Sequence, residues 1–295
     1  MSKEIFMERN IVVGKTDREY LTADYYSPVE GKDLPILLLI HGGGFESGSK
    51  EKYNEWGPYL AKEGYAALSI NYRLATPNDA SWPGVVDDVQ SAINWLVSNA
   101  NELGIEPLKM AIIGDSAGAH IGALYILQHP VNASFKIRAS IGIYGVYDLL
   151  GDDLRENEEF KKLAEKLIGS TMIDNPEKYR LASPNYYIEE AVINPVFNPS
   201  FLLIWGETDK LVPPSQSKQF AKNLEAFGLE VETLSIPDKG HLWFNITANL
   251  EGGSINDYPN TIVAPKILEF LKKNLTIEQV GNNSEALIKN ISKYR

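Results

Sequence analysis

The sequence contains no cysteine. That excludes disulfides, zinc–thiolate sites, iron–sulfur clusters and a cysteine nucleophile together. Histidine is scarce, with four in 295 residues, so an imidazole base has few places to be. Long apolar runs are missing as well. Runs such as Leu34–Ile40 stop far short of the roughly 20 residues that cross a bilayer as a helix. Met1–Arg9 lacks the apolar stretch of a secretory signal, and the expectation is a soluble cytoplasmic protein without membrane insertion. Positive charge is in deficit: 28 Lys and Arg face 39 Asp and Glu, a net −11. Such a surface repels phosphate backbones, so nucleic acid is not an expected partner. Internal repeats, low-complexity tracts and Gly/Ser linkers are absent too. What remains is 44% hydrophobic and 23% charged residues, the balance of a globular chain long enough to bury a sizeable core.

Strand-like and helix-like segments alternate, which predicts an α/β fold of about eight mostly parallel strands with helices on both faces. The short apolar runs Pro35–Ile40, Tyr65–Ile70, Met110–Ile113, Ala139–Tyr144 and Phe201–Trp205 suit strands buried on both faces. Val231–Ile236 and a weaker segment at Ile11–Val13 extend the sheet, and Tyr20–Tyr26 alternates as a partly exposed strand should. Val85, Val89, Ile93 and Leu96 form one helical stripe; Phe220, Leu224 and Phe227, stopped by Gly228, form another. Ala117–Leu127 is apolar nearly all round and reads as a buried helix. The organisation expected is one domain over residues 1–275, with a charged helical insertion at 149–183 and a tail at 276–295. In that tail Ala286, Leu287 and Ile291 outline a short amphipathic helix.

The strongest chemical signal is Gly114-Asp115-Ser116-Ala117-Gly118, a G-x-S-x-G between a predicted strand and a predicted helix. A serine on so sharp a turn projects its hydroxyl above the sheet. Glycines flank it because a Cβ would clash, and the helix N-terminus behind it favours developing negative charge. The second signal is His41-Gly42-Gly43-Gly44-Phe45, directly after a strand. Three glycines bare their backbone N–H groups, as an oxyanion hole requires. Gly43, Gly44 and Ala117 are the expected donors. No Gly-Lys-Ser/Thr or G-x-G-x-x-G accompanies the run, which makes nucleotide binding the weaker reading.

A serine nucleophile needs a base. His41 reads as a brace for the glycine loop, His120 as a packing residue, and His129 as a cation at a helix end. His241 follows the last strand, where ligands bind in such sheets, and is the strongest candidate. Its orienting carboxylate is to be found among Glu207, Asp209 and Asp238. Asp209, after the Phe201–Trp205 strand, is favoured because its loop emerges beside that of His241. Asp238 stands too near His241 to reach back and suits a turn. Glu207 is the runner-up.

These motifs, with Asn71-Tyr72-Arg73-Leu74, Asp87-Asp88-Val89, Ala182-Ser183-Pro184 and Val212-Pro213, keep their order and spacing from about Tyr20 to Asn274. On them the chain resembles the α/β-hydrolase esterases and lipases, near the hormone-sensitive-lipase-like and feruloyl/acetyl-xylan-esterase-like branches. It lacks the long N-terminal cap of the first branch, which draws it toward the second, and the tail past Asn274 has no counterpart. The resemblance implies an α/β-hydrolase fold, a triad of Ser116, Asp209 and His241, and an oxyanion hole of Gly43, Gly44 and Ala117. It implies a small-molecule ester as substrate, short-chain acyl or aryl, with acetylated or feruloylated sugars as one class. The chemistry asks for no cofactor and no metal. An amidase using the same triad and a non-catalytic ligand receptor are the competing readings. Phe45, Tyr72, Trp82, Tyr147 and Trp243 stand in or near strand-end loops and are the expected pocket aromatics. The 149–183 insertion is expected to shape the alcohol side of the site. Nothing in the sequence defines an oligomeric state.

Overall fold

The computed structural model describes residues 4–245 and 253–276. The strands are β1 (Ile5–Lys15), β2 (Tyr20–Pro28), β3 (Leu34–Ile40), β4 (Ala66–Ile70), β5 (Ile105–Asp115), β6 (Ile137–Ile143), β7 (Ser200–Gly206) and β8 (Val231–Ile236). The helices are α1 (Trp56–Lys62), α2 (Gly84–Ser98), α3 (Ala100–Leu103), α4 (Ala117–Gln128), α5 (Glu158–Ile168), α6 (Pro176–Leu181), α7 (Ile188–Val192), α8 (Pro214–Ala226) and α9 (Asn260–Leu275). The strands form one sheet in the order β1-β2-β4-β3-β5-β6-β7-β8. β1 and β2 pair antiparallel and β2 joins β4 antiparallel; from β4 to β8 every pairing is parallel.

Alternation along the central strands builds two cores. In β3, Ile36, Leu38 and Ile40 face the core shared with α2, α4 and α8, while Leu37 and Leu39 face the core shared with α1 and α9. Each such aliphatic side chain contributes about 1.5–3 kcal/mol when fully buried. The α2 stripe of Val85, Val89, Ile93 and Leu96 is buried as its periodicity predicts. Helix α4 is buried through Leu127. Gly122 lets it lie close to the sheet, since a Cβ there would come within 2.8 Å of the Ile112 side chain.

Two expectations are corrected. β2 is not half-exposed: Asp24 and Tyr26, on the face expected to meet solvent, are fully buried. The turn at Lys50–Tyr53 and α1 cover them. Lys50 Nζ meets Asp24 at 2.8 Å and Gly57 of α1 lies against the Tyr26 ring. Phe227 is the other correction. The stripe ends at Leu224, because α8 stops at Ala226 and Gly228 turns the chain at φ +82°, leaving Phe227 44% exposed. The 149–183 segment carries a short 3-10 turn at Asp152–Leu154, α5 and α6. The expected tail helix around Ala286, Leu287 and Ile291 lies outside the described residues. Among the described residues no helix is long and apolar enough to cross a membrane.

Candidate active site

Register brings the motifs together. Ile40 of β3 pairs with Gly114 of β5, so the glycine loop and the serine turn leave the sheet side by side. Gly206 of β7 pairs with Ile236 of β8, so the Asp209 and His241 loops do the same. All four loops emerge at the carboxyl ends of parallel strands.

Ser116 caps α4 at φ 51°, ψ −117°. A non-glycine residue held there stores about 1–3 kcal/mol of backbone strain. The flanking glycines make the turn possible: a Cβ on Gly118 would overlap the Ile40 carbonyl, and one on Gly114 would overlap the Gly118 backbone. His241 reaches in from beyond β8. Its Nε2 lies 2.9 Å from Ser116 Oγ and its Nδ1 lies 2.6 Å from Asp209 Oδ2. A carboxylate only accepts hydrogen bonds, so Nδ1 carries the ring proton and Nε2 presents a bare lone pair to the serine hydroxyl. Asp209 is buried, and its other oxygen accepts the N–H groups of Leu211 at 2.9 Å and Val212 at 3.0 Å. The carboxylate is thus clamped before it meets the imidazole. Tyr144 packs against the His241 ring with centroids 4.4 Å apart. The alternative carboxylates are engaged elsewhere. Glu207 accepts from Trp205 Nε1 and pairs with Lys218, and Asp238 accepts from the Tyr258 hydroxyl.

The glycine loop is held as tightly. Gly43 and Gly44 have φ of 140° and 61°, and a Cβ on Gly43 would overlap the Ser47 carbonyl. Among the described residues neither N–H group donates to a protein acceptor. Ala117 opens α4, where the first amides lack an intrahelical partner. The Gly42 carbonyl accepts from His41 Nδ1 at 2.9 Å and Lys52 Nζ at 3.2 Å, and the Gly42 N–H donates to Asp115 Oδ1 at 3.0 Å. Because the peptide is planar, pinning that carbonyl also aims the Gly43 N–H. Asp115 Oδ1 accepts from the Tyr53 hydroxyl and Asn245 Nδ2 as well. Burial raises its carboxyl above the ordinary range.

The remaining histidines sit where the sequence reading put them. His41 is buried and stacks on Tyr72, with centroids 4.3 Å apart, and burial pushes its imidazole down to about 4. His120 is buried with Nδ1 donating to the Val146 carbonyl, and burial lowers it to about 4 too. His129 follows α4 and donates through Nδ1 to the Tyr125 carbonyl of its last turn.

A cavity of about 220 Å³ opens over Ser116 and His241. Its walls are Gly43, Gly44, Phe45 and neighbours on one side, with Val146, Phe160, Leu163, Leu211, Val212 and Leu242 supplying the apolar surface. Of the five aromatics expected there, only Phe45 lines it. Tyr72 lies beneath the glycine loop and donates its hydroxyl to the His41 carbonyl. Tyr147 stacks on Phe220 at 4.1 Å, Trp243 packs on Tyr144 and donates to the Gly240 carbonyl, and Trp82 faces a different groove beside Lys162 and Gly169. These four are corrected: strand-end aromatics are as readily captured by the core as by a pocket. The insertion expected to shape the site does line the cavity, through α5, whose residues the sequence reading did not single out. Phe160, Leu163, Ala164 and Leu167 stand at helical spacing within the insertion, a signal that marks the face but not what it meets.

A family model described as BD-FAE matches residues 23–224. The chain belongs to the BD-FAE family. Similar proteins carry compatible names. Esterase LipC of Mycobacterium tuberculosis is 30% identical over 246 residues, covering 79% of this chain and 59% of LipC. Isoprenylcysteine alpha-carbonyl methylesterase ICME of Arabidopsis thaliana is 26% identical over 264 residues, 85% of this chain and 60% of that protein. The chain therefore spans only 59–60% of these two relatives' lengths. Among solved structures, the thermophilic esterase Est2 of Thermogutta terrifontis superposes with a TM-score of 0.70 at 22% identity, covering 95% of both chains. That likeness establishes the α/β-hydrolase fold for this BD-FAE family member.

Proposed function

We propose that this chain is a serine carboxylic-ester hydrolase acting on short-chain acyl or aryl esters. The observation that carries the reading is His241, whose two ring nitrogens bridge Ser116 Oγ and Asp209 Oδ2. Ser116 Oγ attacks the ester carbonyl carbon while its proton passes to His241 Nε2. The carbonyl electrons move onto oxygen, and the N–H groups of Gly43, Gly44 and Ala117 receive that oxyanion. Such donors contribute about 3–4 kcal/mol each to the transition state. Asp209 keeps the tautomer and stabilises the imidazolium. The C–O bond then breaks, His241 protonates the leaving alcohol, and water repeats the cycle on the acyl-enzyme. The names borne by LipC, ICME and Est2 support an ester as the substrate, and the small apolar cavity supports a short acyl group.

A p-nitrophenyl ester series from acetate to palmitate tests this. The expected result is turnover concentrated between acetate and hexanoate. Folded protein that turns over no ester contradicts it. Acetylated xylan and feruloyl esters are the next substrates, because the resemblance to feruloyl and acetyl-xylan esterases points there.

A further inference from the structure

Behind the catalytic cavity lies a second apolar space of about 270 Å³, between α5 and the segment Thr171–Ile173. Leu149, Leu154, Ala164, Met172 and Tyr179 give it its apolar walls. Among the described residues, Phe160 alone lines both spaces. We propose that Phe160 is the partition that ends the acyl pocket, so that this residue sets the longest acyl chain the enzyme accepts. The proposal rests on the ester-hydrolase reading above.

The partition is fixed rather than loose. The Phe160 N–H donates to Asn157 Oδ1 at 3.0 Å, the N-cap bond of α5. Asn157 Nδ2 in turn donates to the carbonyls of Lys210 and Leu211, directly after Asp209. At the middle of the helix Leu163 lies against Gly44, so closely that a Cβ on that glycine would come within 2.7 Å of it. Further along, Lys166 pairs with Glu46 and the Leu167 carbonyl accepts from the Trp82 N–H. Helix α5 is therefore tied to the loop that carries Asp209 and to the loop that carries the oxyanion donors. A phenyl ring on such a helix cannot drift aside at little cost.

Size gives the expected limit. An apolar cavity of about 150 Å³ holds a benzene-sized group. The 220 Å³ over Ser116 thus holds an ester group with a short chain, and a longer chain meets the Phe160 ring. The acyl side is part of this proposal, in place of the alcohol side expected for the insertion from sequence: Leu163 of α5 packs on Gly44, beside the carbonyl under attack, and the alkyl acetate series below separates the two sides. Removing the ring would join two spaces lined largely by apolar side chains, the second also by Arg155, Lys161 and Glu165. Each added methylene that gains such a lining is discriminated by about 10-fold or more.

The test compares kcat/KM for p-nitrophenyl octanoate and butyrate in the unaltered chain, Phe160→Ala, Phe160→Leu and Phe160→Trp. Phe160→Ala is expected to raise the octanoate-to-butyrate ratio at least 10-fold, Phe160→Leu by less, and Phe160→Trp to lower it. The double variant Phe160→Ala with Met172→Trp refills the second space and returns the ratio to its starting value. If Phe160→Ala does not fold, Leu and Trp at that position still must move the ratio in opposite directions. A parallel series of alkyl acetates of rising chain length reads the alcohol side and is expected to stay unchanged. Folded variants with an unmoved acyl ratio overturn the inference while leaving the ester-hydrolase reading intact; so does a shift confined to the alkyl acetates. Failure of the unaltered chain to cleave any ester overturns both.

Discussion

The cavity has two walls of opposite construction. One is made of backbone and hydrogen bonds: the strained Ser116 turn, the glycine loop pinned through Gly42, and the clamped Asp209. The other is made of side chains packed on a helix, Phe160 and Leu163 of α5. The difference separates two demands on an enzyme. Charge stabilisation needs donors fixed to within a fraction of an ångström, and peptide planes and glycine turns supply that. Choosing a substrate by size needs only volume, which Phe160 can alter, unlike Leu163, which packs on Gly44. Changes to the first wall should therefore abolish chemistry or folding, and changes to the second should move preference.

The largest effect is expected at the hydrogen-bonded wall. Ser116→Ala should lower kcat on p-nitrophenyl acetate by roughly 10⁴–10⁶-fold, with a far-UV circular dichroism melt close to that of the unaltered chain. Retained turnover would move the nucleophile elsewhere. Gly118→Val comes next. Its side chain must displace the Ile40 carbonyl, and overpacking on rigid backbone costs about 3 kcal/mol or more, visible as a melting temperature lowered by several degrees or as insoluble protein. A melt unchanged by valine would show that the turn is looser than its geometry implies.

Acid should weaken this wall through its buried imidazoles. His41 and His120 stand near 4 in the fold, well below the ordinary 6.5. Their stabilising contribution is therefore complete above pH 6.5, falls progressively as pH drops from 6.5 toward 4, and is gone below 4. It amounts to roughly 3 kcal/mol per ring at most. Asp115 opposes this, since its raised carboxyl makes its burial less costly as pH falls. Urea unfolding at pH 7 and pH 4.5 reads the balance, and His120→Gln should shrink the difference. A pH difference left unchanged by His120→Gln would contradict the account. The smallest effect belongs to the packed wall. Lys166→Met removes a half-exposed ion pair to Glu46, an interaction worth less than about 1 kcal/mol. Activity on butyrate should stay within twofold, and a 10-fold loss would mean that α5 also positions the glycine loop.

The same contrast decides how much could be read from the chain. The serine turn and the glycine loop were legible because their geometry dictates residue identity: a Cβ at Gly43, Gly114 or Gly118 has nowhere to go. The buried central strands were legible from apolar runs for a similar reason. β2 was not, because the partner that buries Asp24 is Lys50, 26 positions away on a turn that periodicity does not locate. Tyr147 and Trp243 looked like pocket residues because burial is common to cores and pockets, and only the stacking on Phe220 and Tyr144 tells them apart. The apolar face of α5 was visible in its spacing. What it covers depends on the Asn157 and Lys166 ties to loops 53 and 120 residues away, a relation that no local pattern encodes.

The most direct test of the central claim is covalent trapping. A fluorophosphonate is added to the whole chain and the adduct is located by peptide mass spectrometry. The account predicts one phosphonyl group per chain, on Ser116, formed in step with loss of p-nitrophenyl acetate turnover and absent from Ser116→Ala. Turnover that survives full exposure to the reagent, or an adduct on any other residue that alone abolishes turnover, would contradict it.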